Sequence, residues 1–545
     1  MEAPIVTQKL YVETLTPVFI GSNEKVQPYE YLVHNGRFYR LNLDAIARII
    51  LEADSRALDL FASWLEESTQ GEARGGALRK HPPRGSQQQP PIIAFVSEKL
   101  RDQQLARTIR EGVISGKLAL YSLPWWDPEQ GAHAAGRSQQ HRQMGTILAA
   151  IKTGSQKMYI PGSSLKGVLR TALLYTVLTE ADEGFLQRVA AELEQSMKGE
   201  QQDRVGKALE RLVFFYGQGA EREDAKYDLM KFIGVSDSTE VEPKEGGKVV
   251  LVEHYKTNGK ARQPGSIVEA IAARQVFSVC IRVDMGLIHQ MRQWGEKGLG
   301  MLEYQDTLEE RFKRLYGCSL HEAKAEHVFK RLLDAANKFG RAVAERDRQW
   351  AGSRYPDLAK LCQHLPEGAV KLGWGSGFHA TTVSCAVLER EELQKLLRAY
   401  LRNRHHIQVE QIPTSRRMWS SKQGSAETIL PLGWVRLSFD PLREEQRIAN
   451  TGQSVNIEQS SVSLPSEPPI AERLRNGAEV CARIVDSSKQ PITVELLVRR
   501  YEGQYYPCRG VSNTAGLSAG TIVRVRVNLQ GNRIQSLTYL GIWKQ

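Results

Sequence analysis

The stretch YIPGSSLKGVLRTALLY, residues 159–175, predicts a helix that starts near Ser164. Leu165, Leu169 and Leu173 recur at positions i, i+4 and i+8, so one face of the helix is apolar. The proline, glycine and serines that precede them are typical of a helix start, because a serine hydroxyl can accept from the first free backbone N–H groups.

The start of this helix also carries residues that a helix start disfavours. Lys166 and Arg170 lie in the first two turns, where the helix dipole opposes cations, and an interior glycine such as Gly167 costs roughly 1 kcal/mol relative to alanine. All three become favourable if a phosphodiester chain crosses the helix start, because free N–H groups there bind phosphate. The alternative is a surface helix whose cations are only solvated. The residues predicted here to contact a phosphodiester chain are Ser163, Ser164, Lys166, Gly167 and Arg170.

Composition narrows the class of protein. The chain has 545 residues, 41% hydrophobic and 25% charged, which predicts two or three globular domains. It shows neither a signal-peptide pattern nor an apolar run long enough for a membrane helix, so we expect a cytoplasmic protein without a membrane partner. Six widely spaced cysteines favour reduced thiols over a disulfide scaffold or a zinc site. A net charge of +11 favours nucleic acid as a partner, although ordinary solubility charge is the alternative.

A second unusual stretch, LGWGSGFHATTV, begins at Leu372 and has three alternating glycines. We expect a strand, a glycine loop and a second strand, because glycines at such positions mark bulges or a close approach of another backbone. The loop's aromatic residues are suited to stacking on bases. The arginines in PTSRRMW, residues 413–419, are suited to pairing with phosphate. A tight hairpin with buried aromatics and solvated arginines is the alternative. The residues predicted here to contact nucleic acid are Gly373, Trp374, Gly375, Ser376, Gly377, Phe378, His379, Arg416 and Arg417.

Several stretches of the sequence nearly match enzyme motifs but lack a residue that the motif requires. Val168 stands where a P-loop needs lysine, Phe378 interrupts a dinucleotide fingerprint, and His321 and His327 have the wrong spacing for a zinc protease. We therefore predict no catalytic residue, no metal site and no cofactor. A metal-independent ribonuclease would have to use His379, His133 or His141.

The sequence predicts different structures for the two ends of the chain. Near the amino terminus, Asn35-Gly36 between two alternating runs predicts a hairpin. Residues 446–470 are polar and contain three prolines, which predicts a linker. Residues 471–545 form short alternating stretches with 11 Lys and Arg against 5 Asp and Glu, a net charge of +6, and predict a small basic, OB-like β-barrel. Within it, Arg524 and Arg526 alternate with valines and should share one face.

Three groups of these residues, in this order, resemble the RAMP superfamily. They are LTPVFIGS from Leu15, IPGSSLKG from Ile160, and LGWGSGF from Leu372 followed by the later LGW from Leu432. Within the superfamily, they resemble most the fifth Csm subunit of type III-A CRISPR interference complexes. The chain departs from the family pattern at Phe19, where histidine is common.

The resemblance implies an α+β fold with two ferredoxin-like (RRM-like) domains and helical insertions, in addition to the barrel. We expect these domains to span residues 1–245 and 246–445. It implies a non-catalytic subunit that binds crRNA at its 3′ side, contacts the repeated backbone subunit and other Csm subunits, and supports crRNA maturation in antiviral defence, with trimming by host nucleases. A RAMP endoribonuclease that processes precursor crRNA and a Cmr-type RAMP subunit are the alternatives.

Overall fold

The computed structural model describes most of the chain. The described residues are 4–73, 90–126, 145–198, 205–216, 225–256, 259–260, 265–296, 302–405, 413–423, 426–441, 478–486, 491–496, 505–509, 522–530 and 533–542. Residues 1–455 form one compact unit and residues 456–545 another. The boundary falls within the predicted linker, 446–470, which lies outside the described residues.

The strands and helices of the described residues alternate in no simple repeat. The strands are β1 (Ile5–Thr14), β2 (Gly21–Val26), β3 (Tyr31–His34), β4 (Arg37–Leu41), β5 (Ala119–Pro124), β6 (Ile147–Ala150), β7 (Ile233–Val235), β8 (Gly247–Lys256), β9 (Gly259–Lys260), β10 (Ser266–Ile271), β11 (Val276–Asp284), β12 (Ala369–Lys371), β13 (Ser415–Gln423), β14 (Ala426–Pro431), β15 (Trp434–Ser438), β16 (Glu479–Asp486), β17 (Ile492–Leu496), β18 (Tyr505–Arg509), β19 (Ile522–Gln530) and β20 (Arg533–Ile542). The helices are α1 (Leu43–Ala53), α2 (Ser55–Ala73), α3 (Pro91–Ala94), α4 (Gln103–Ile114), α5 (Gly162–Thr179), α6 (Glu183–Lys198), α7 (Val205–Phe214), α8 (Pro243–Gly246), α9 (Met285–Glu296), α10 (Leu302–Tyr316), α11 (Ala325–Ala351), α12 (Pro356–Gln363), α13 (Phe378–Thr381), α14 (Ser384–Glu389) and α15 (Glu391–His405).

The first large sheet has the ferredoxin-like order. Along the chain β1, α5, β7, β11, α11 and β15 form a βαββαβ unit, and the strands lie side by side as β15-β1-β11-β7, all antiparallel. Strand β12 extends the sheet beyond β15, and the two helices pack against each other. The predicted apolar face of α5 is confirmed, because Leu165, Leu169 and Leu173 are buried in the core. The predicted α+β class with helical insertions is thus confirmed.

The expected domain boundary at residue 245 does not separate two sheets. The ferredoxin-like sheet takes β1 and β7 from before that residue and β11, β12 and β15 from after it. The second large sheet, ordered β14-β13-β8-β10-β6-β2 with β9 paired to β8, also draws strands from both halves. Residues 1–245 and 246–445 therefore share both sheets, because a ferredoxin-like fold pairs its first strand with its third and fourth.

Two smaller predictions have opposite outcomes. The hairpin at Asn35-Gly36 is confirmed: it joins β3 to β4, and both turn residues have positive φ, as a two-residue hairpin turn requires. The second strand expected after the glycine loop is wrong, because α13 and α14 follow the loop. The hydroxyls of Thr381 and Thr382 donate to carbonyls one helical turn earlier, which a strand would not allow.

The carboxy-terminal unit is a closed barrel, as predicted. Its order, β16-β17-β18-β20-β19 with β18 and β20 parallel, is that of an OB fold. Val523, Val525 and Val527 are buried while Arg524 and Arg526 are exposed, so the predicted alternation is confirmed. Arg526 forms an ion pair with Glu479 at 2.7 Å, and part of the barrel's positive charge is therefore neutralised locally.

No helix in the described ranges is both long and apolar enough to span a membrane. Within the same ranges, no three or more His, Cys, Asp or Glu side chains are grouped so that they could hold a metal ion.

Candidate nucleic-acid interface

The motif segments meet at one end of the ferredoxin-like sheet. Strands β7 and β12 run parallel to β1, because each is separated from it by one antiparallel strand. The segments that follow β1, β7 and β12 therefore leave the sheet at the same end, and the segment before β15 enters there. The start of α5 also lies at this end, since the Gly162 N–H donates to Asp237 just after β7, at 2.8 Å. Strands β12 and β7 are four spacings apart, about 19 Å.

Three of the segments are joined by backbone hydrogen bonds. The Trp374 N–H donates to the carbonyl oxygen of Phe19 at 2.8 Å, and the Gly433 N–H donates to that of Pro17 at 2.9 Å. The Trp434 N–H donates to the hydroxyl of Thr16 at 2.9 Å. The glycine loop, residues 373–377, is therefore held between the segment after β1 and the segment before β15.

The glycine loop has a backbone that other residues adopt with difficulty. Gly373, Gly375 and Gly377 have φ angles of +83°, +85° and +92°. A Cβ on Gly373 would also collide with the carbonyl oxygen of Phe19. Inside the loop, the hydroxyl of Ser376 donates to the carbonyl oxygen of Gly373 at 2.5 Å. The glycines are thus required by the loop's own conformation, whatever the loop binds.

Trp374 and Arg417 form the exposed part of this region. The Trp374 ring is half-buried and meets Phe19 edge-on at 5.6 Å, whereas Arg417 is exposed with its guanidinium 4.6 Å from the centre of the Trp374 ring. His254 lies opposite Arg417 on the neighbouring strand. Burial lowers the pKa of His254, and the nearby Arg417 lowers it further. A guanidinium stacked over an indole ring is suited to nucleic acid, because a base can stack on the guanidinium plane while the guanidinium N–H groups pair with a phosphate.

Three of the residues predicted to contact RNA, Ser376, His379 and Arg416, are buried instead. His379 is 1% exposed, with Nδ1 at 3.1 Å from the hydroxyl of Ser384. Arg416 is paired with Asp347 beneath the loop rather than lying beside Arg417. Alternation explains the difference, because successive residues of β13 point to opposite faces of the strand. Phe378 is half-buried next to His379.

The start of α5 is only partly available to an anion. Its Gly162 N–H is already taken by the Asp237 carboxylate, while Ser163 and Gly167 are exposed and Ser164 is half-buried. Lys166 is half-buried and donates to the carbonyl oxygen of Ile233 at 2.7 Å. Burial lowers the pKa of Lys166; Asp228 opposes this effect, and Arg170 and Arg282 add to it.

The sequence predicts that Arg170 faces the same bound anion as Lys166, but its guanidinium is paired with carboxylates of the protein. Its guanidinium forms ion pairs with Asp228 at 2.9 Å and with Glu210 at 3.1 Å, and lies 3.9 Å from the centre of the Phe214 ring. These contacts tie α5 to α7 and to the segment before β7. One turn of helix, which separates the two cations in sequence, is enough to direct them to different neighbours.

A cavity of about 420 Å³ opens beside Lys166 at the edge of β7. Lys231 and Arg282 also line it, and Asp284 is the carboxylate among the lining residues. Arg282 crosses the edge strand at Gly234, where a Cβ would collide with its side chain. The cavity therefore gathers three cations and one carboxylate, which favours an anionic ligand.

The sequence matches the RAMP superfamily over residues 11–447, which cover both large sheets. The chain belongs to the RAMP superfamily. The match ends before the barrel, so the OB-like unit is an addition to the RAMP unit of this chain.

Solved structures resemble this RAMP chain over most of its length. A chain of the cryo-EM structure of a Csm–crRNA–target RNA ternary complex from a type III-A CRISPR–Cas system is 22% identical, with a TM-score of 0.49, and the match covers 79% of this chain and 100% of that one. The crystal structure of T. onnurineus Csm5 is 19% identical, with a TM-score of 0.43 and coverage of 78% and 99%. No curated protein matches the sequence.

Sequence reasoning missed the charged residues beneath and beside the interface. Asp347 and Lys371 lie under the glycine loop, and Lys231 and Arg282 line the cavity. A signal for Asp347 exists, because it continues the buried stripe of α11 four residues after Val343 and three before Trp350. An acid at an apolar position of a helix indicates a buried ionic partner. No sequence pattern of this kind points to Lys231 or Arg282 in the cavity.

We predict different effects for the two cations of α5. Lys166→Ala should lower the slope of log affinity for single-stranded RNA against log salt by about one unit, because a phosphate contact at the cavity is lost. Arg170→Ala should lower the free energy of unfolding by about 1 to 2 kcal/mol, through its ion pairs and ring contact, and should leave the slope unchanged. Fluorescence anisotropy at several salt concentrations and urea unfolding measure the two effects.

The control is Lys395→Ala, which removes an exposed helical lysine paired with Glu391. It should change neither the slope nor the stability by a measurable amount. A Lys166→Ala protein with the wild-type slope would show that the cavity takes no phosphate from RNA.

Proposed function

We propose that this RAMP chain is a non-catalytic crRNA-binding subunit of a type III-A (Csm) CRISPR ribonucleoprotein. In this role it caps the crRNA at its 3′ side and is needed for crRNA maturation in antiviral defence. The observation that carries the proposal is the exposed Arg417 over Trp374 on the glycine loop, at the sheet end where the RAMP motifs meet.

The arrangement suits single-stranded RNA in particular. A base unstacked from its neighbours can stack on the Arg417 guanidinium that lies over Trp374, while the guanidinium N–H groups pair with a phosphate, and stacking of this kind needs no fixed sequence. The cavity at Lys166 lies at the same end of the sheet beside β7, which is four strand spacings, about 19 Å, from β12. An extended RNA strand crossing this end would therefore contact both places, with its phosphates neutralised at each.

The partners proposed for this chain are those that the motif resemblance implies. The repeated backbone subunit and other Csm subunits would hold the remainder of the crRNA, and host nucleases would trim the RNA that extends past this chain. A non-catalytic role agrees with the buried, hydrogen-bonded His379, which has no access to an RNA hydroxyl. His133 and His141 lie outside the described residues.

We expect Trp374→Ala to weaken binding of a precursor crRNA about tenfold or more, because stacking contributes roughly 1 to 3 kcal/mol per base. Arg417→Ala should weaken binding less and lower the salt slope by about one unit. The measurement is anisotropy with a labelled precursor crRNA in EDTA, followed by separation of the RNA on a denaturing gel.

Trp64→Ala is the matched control, since Trp64 stacks on Phe61 and Phe95 at the helical insertion away from the sheet end. Its RNA affinity should equal that of the wild type. Equal losses in Trp374→Ala and Trp64→Ala would contradict the proposed interface. Discrete cleavage products in EDTA would instead identify a metal-independent endoribonuclease.

A further inference from the structure

A buried ionic cluster lies beneath the glycine loop. Asp347, on α11, is 0% exposed, and its two carboxylate oxygens contact Lys371 Nζ and Arg416 Nη1, each at 2.5 Å. The side chains of these cations are 2% and 4% exposed. One carboxylate therefore holds two cations inside the protein.

The two cations belong to the two halves of the exposed site. Lys371 is the last residue of β12, and its Nζ also donates to the carbonyl oxygen of Ser376 inside the loop at 3.2 Å. Arg416 lies on β13, directly before Arg417, which covers the Trp374 ring. Asp347 thus connects the loop that carries Trp374 with the strand that carries Arg417.

The cluster is a costly way to fill a core. Its buried charges do not cancel, and Nε and Nη2 of Arg416 have no hydrogen-bond partner in the described part of the chain. Burial by itself would raise the pKa of Asp347, but Arg416 and Lys371 outweigh it and hold that pKa below its ordinary value. The carboxylate is therefore charged, and apolar residues of similar size would often be as stable or more stable in its place. Unlike apolar packing, the ion pairs of Asp347 fix the directions in which Lys371 and Arg416 point.

We propose that Asp347 is a positioning residue that sets Trp374 and Arg417 in register for RNA. The inference rests on the proposed RNA-binding function, but its geometric part does not depend on RNA. Lys371 fixes where the loop leaves β12, and Arg416 fixes the face of β13 on which Arg417 lies. Asp347 is the group that binds both the lysine at the start of the loop and the arginine of the strand, and the contact of Arg417 with Trp374 lies above it.

The main test replaces the whole cluster by apolar residues, Asp347→Leu, Lys371→Met and Arg416→Met together. Hydrogen exchange at the loop amide of Trp374, which donates to Phe19, should rise at least tenfold, while the melting temperature stays within a few degrees of the wild type. RNA affinity should fall about tenfold, because Trp374 and Arg417 are no longer held in position for a base and its phosphate. Wild-type loop exchange and wild-type affinity in this folded variant would overturn the proposal.

Two further variants keep the test decisive. Lys371→Met alone leaves the pair of Asp347 and Arg416 and detaches only the loop, so loop exchange should rise even if the triple variant fails to fold. Tyr316→Phe is the control, because it removes a buried hydrogen bond to Leu229 beside β7. It should lower the melting temperature without changing loop exchange.

The outcomes separate the two proposals. Raised loop exchange in Lys371→Met in a protein that does not bind RNA would retain the positioning role and reject the RNA-binding function. Unchanged loop exchange in Lys371→Met would reject the positioning role, whatever the RNA affinity.

Discussion

Replacing Gly340 with alanine should lower the free energy of unfolding of the RAMP unit by about 4 kcal/mol, an exceptionally large effect for one methyl group. Gly340 lies in the middle of α11, where alanine normally stabilises a helix by about 1 kcal/mol. Here the helix passes directly over the edge of β12, and a Cβ would collide with the carbonyl oxygen of Ala369. The helix would have to move away from the strand that leads into the glycine loop. Urea unfolding of the full chain measures the loss.

Gly167→Ala is the matched control, because it makes the same change inside another helix of the same unit. A Cβ on Gly167 would meet nothing within 4 Å, so alanine should raise the free energy of unfolding by up to about 1 kcal/mol. Two substitutions of identical chemistry are therefore expected to act in opposite directions. Equal effects would show that the close packing of α11 on β12 is absent in solution.

The helices and the barrel could be predicted because their signals are local. The spacing of Leu165, Leu169 and Leu173 fixes which face of α5 is buried, and the alternation of Val523 and Arg524 fixes the faces of a barrel strand. The ferredoxin-like pairing is not local. Strand β1 pairs with β11 and β15, more than 260 and 420 residues later, and a linear division at residue 245 could not represent it.

The candidate site was predictable at the level of motifs, but not at the level of single side chains. The glycine loop and the Arg416-Arg417 pair were found, since glycines and paired arginines are visible in any sequence. Which arginine is buried depends on the register of β13 against β8, and this is set by partners about 160 residues away. The partners of Arg170 are hidden from the sequence for the same reason, because no motif relates Asp228 and Glu210 to it.

A comparison of Gly373 with Gly375 in the glycine loop gives the second large effect. Gly373→Ala should lower the free energy of unfolding by about 3 kcal/mol, because a left-handed φ costs an alanine about 1 to 2 kcal/mol and overpacking costs a similar amount. Its Cβ would displace the Phe19 carbonyl, which accepts from the Trp374 N–H at 2.8 Å. Gly375→Ala has the same backbone cost, but its Cβ would meet only Leu432, at an ordinary 3.4 Å. It should lose only about 1 kcal/mol.

The comparison also separates the loop's structural role from its contact with RNA. If RNA approaches the loop backbone at Gly375, Gly375→Ala should weaken RNA binding more than its small loss of stability implies. The larger Gly375→Val should then reduce assembly into the ribonucleoprotein or shorten the crRNA 3′ portion that the complex retains. Urea unfolding, RNA anisotropy and the length of co-purified crRNA measure these effects. A stable Gly375→Ala protein with wild-type affinity and full-length crRNA would mean that the glycines serve only the fold, and that Trp374 and Arg417 contact RNA without a close backbone approach.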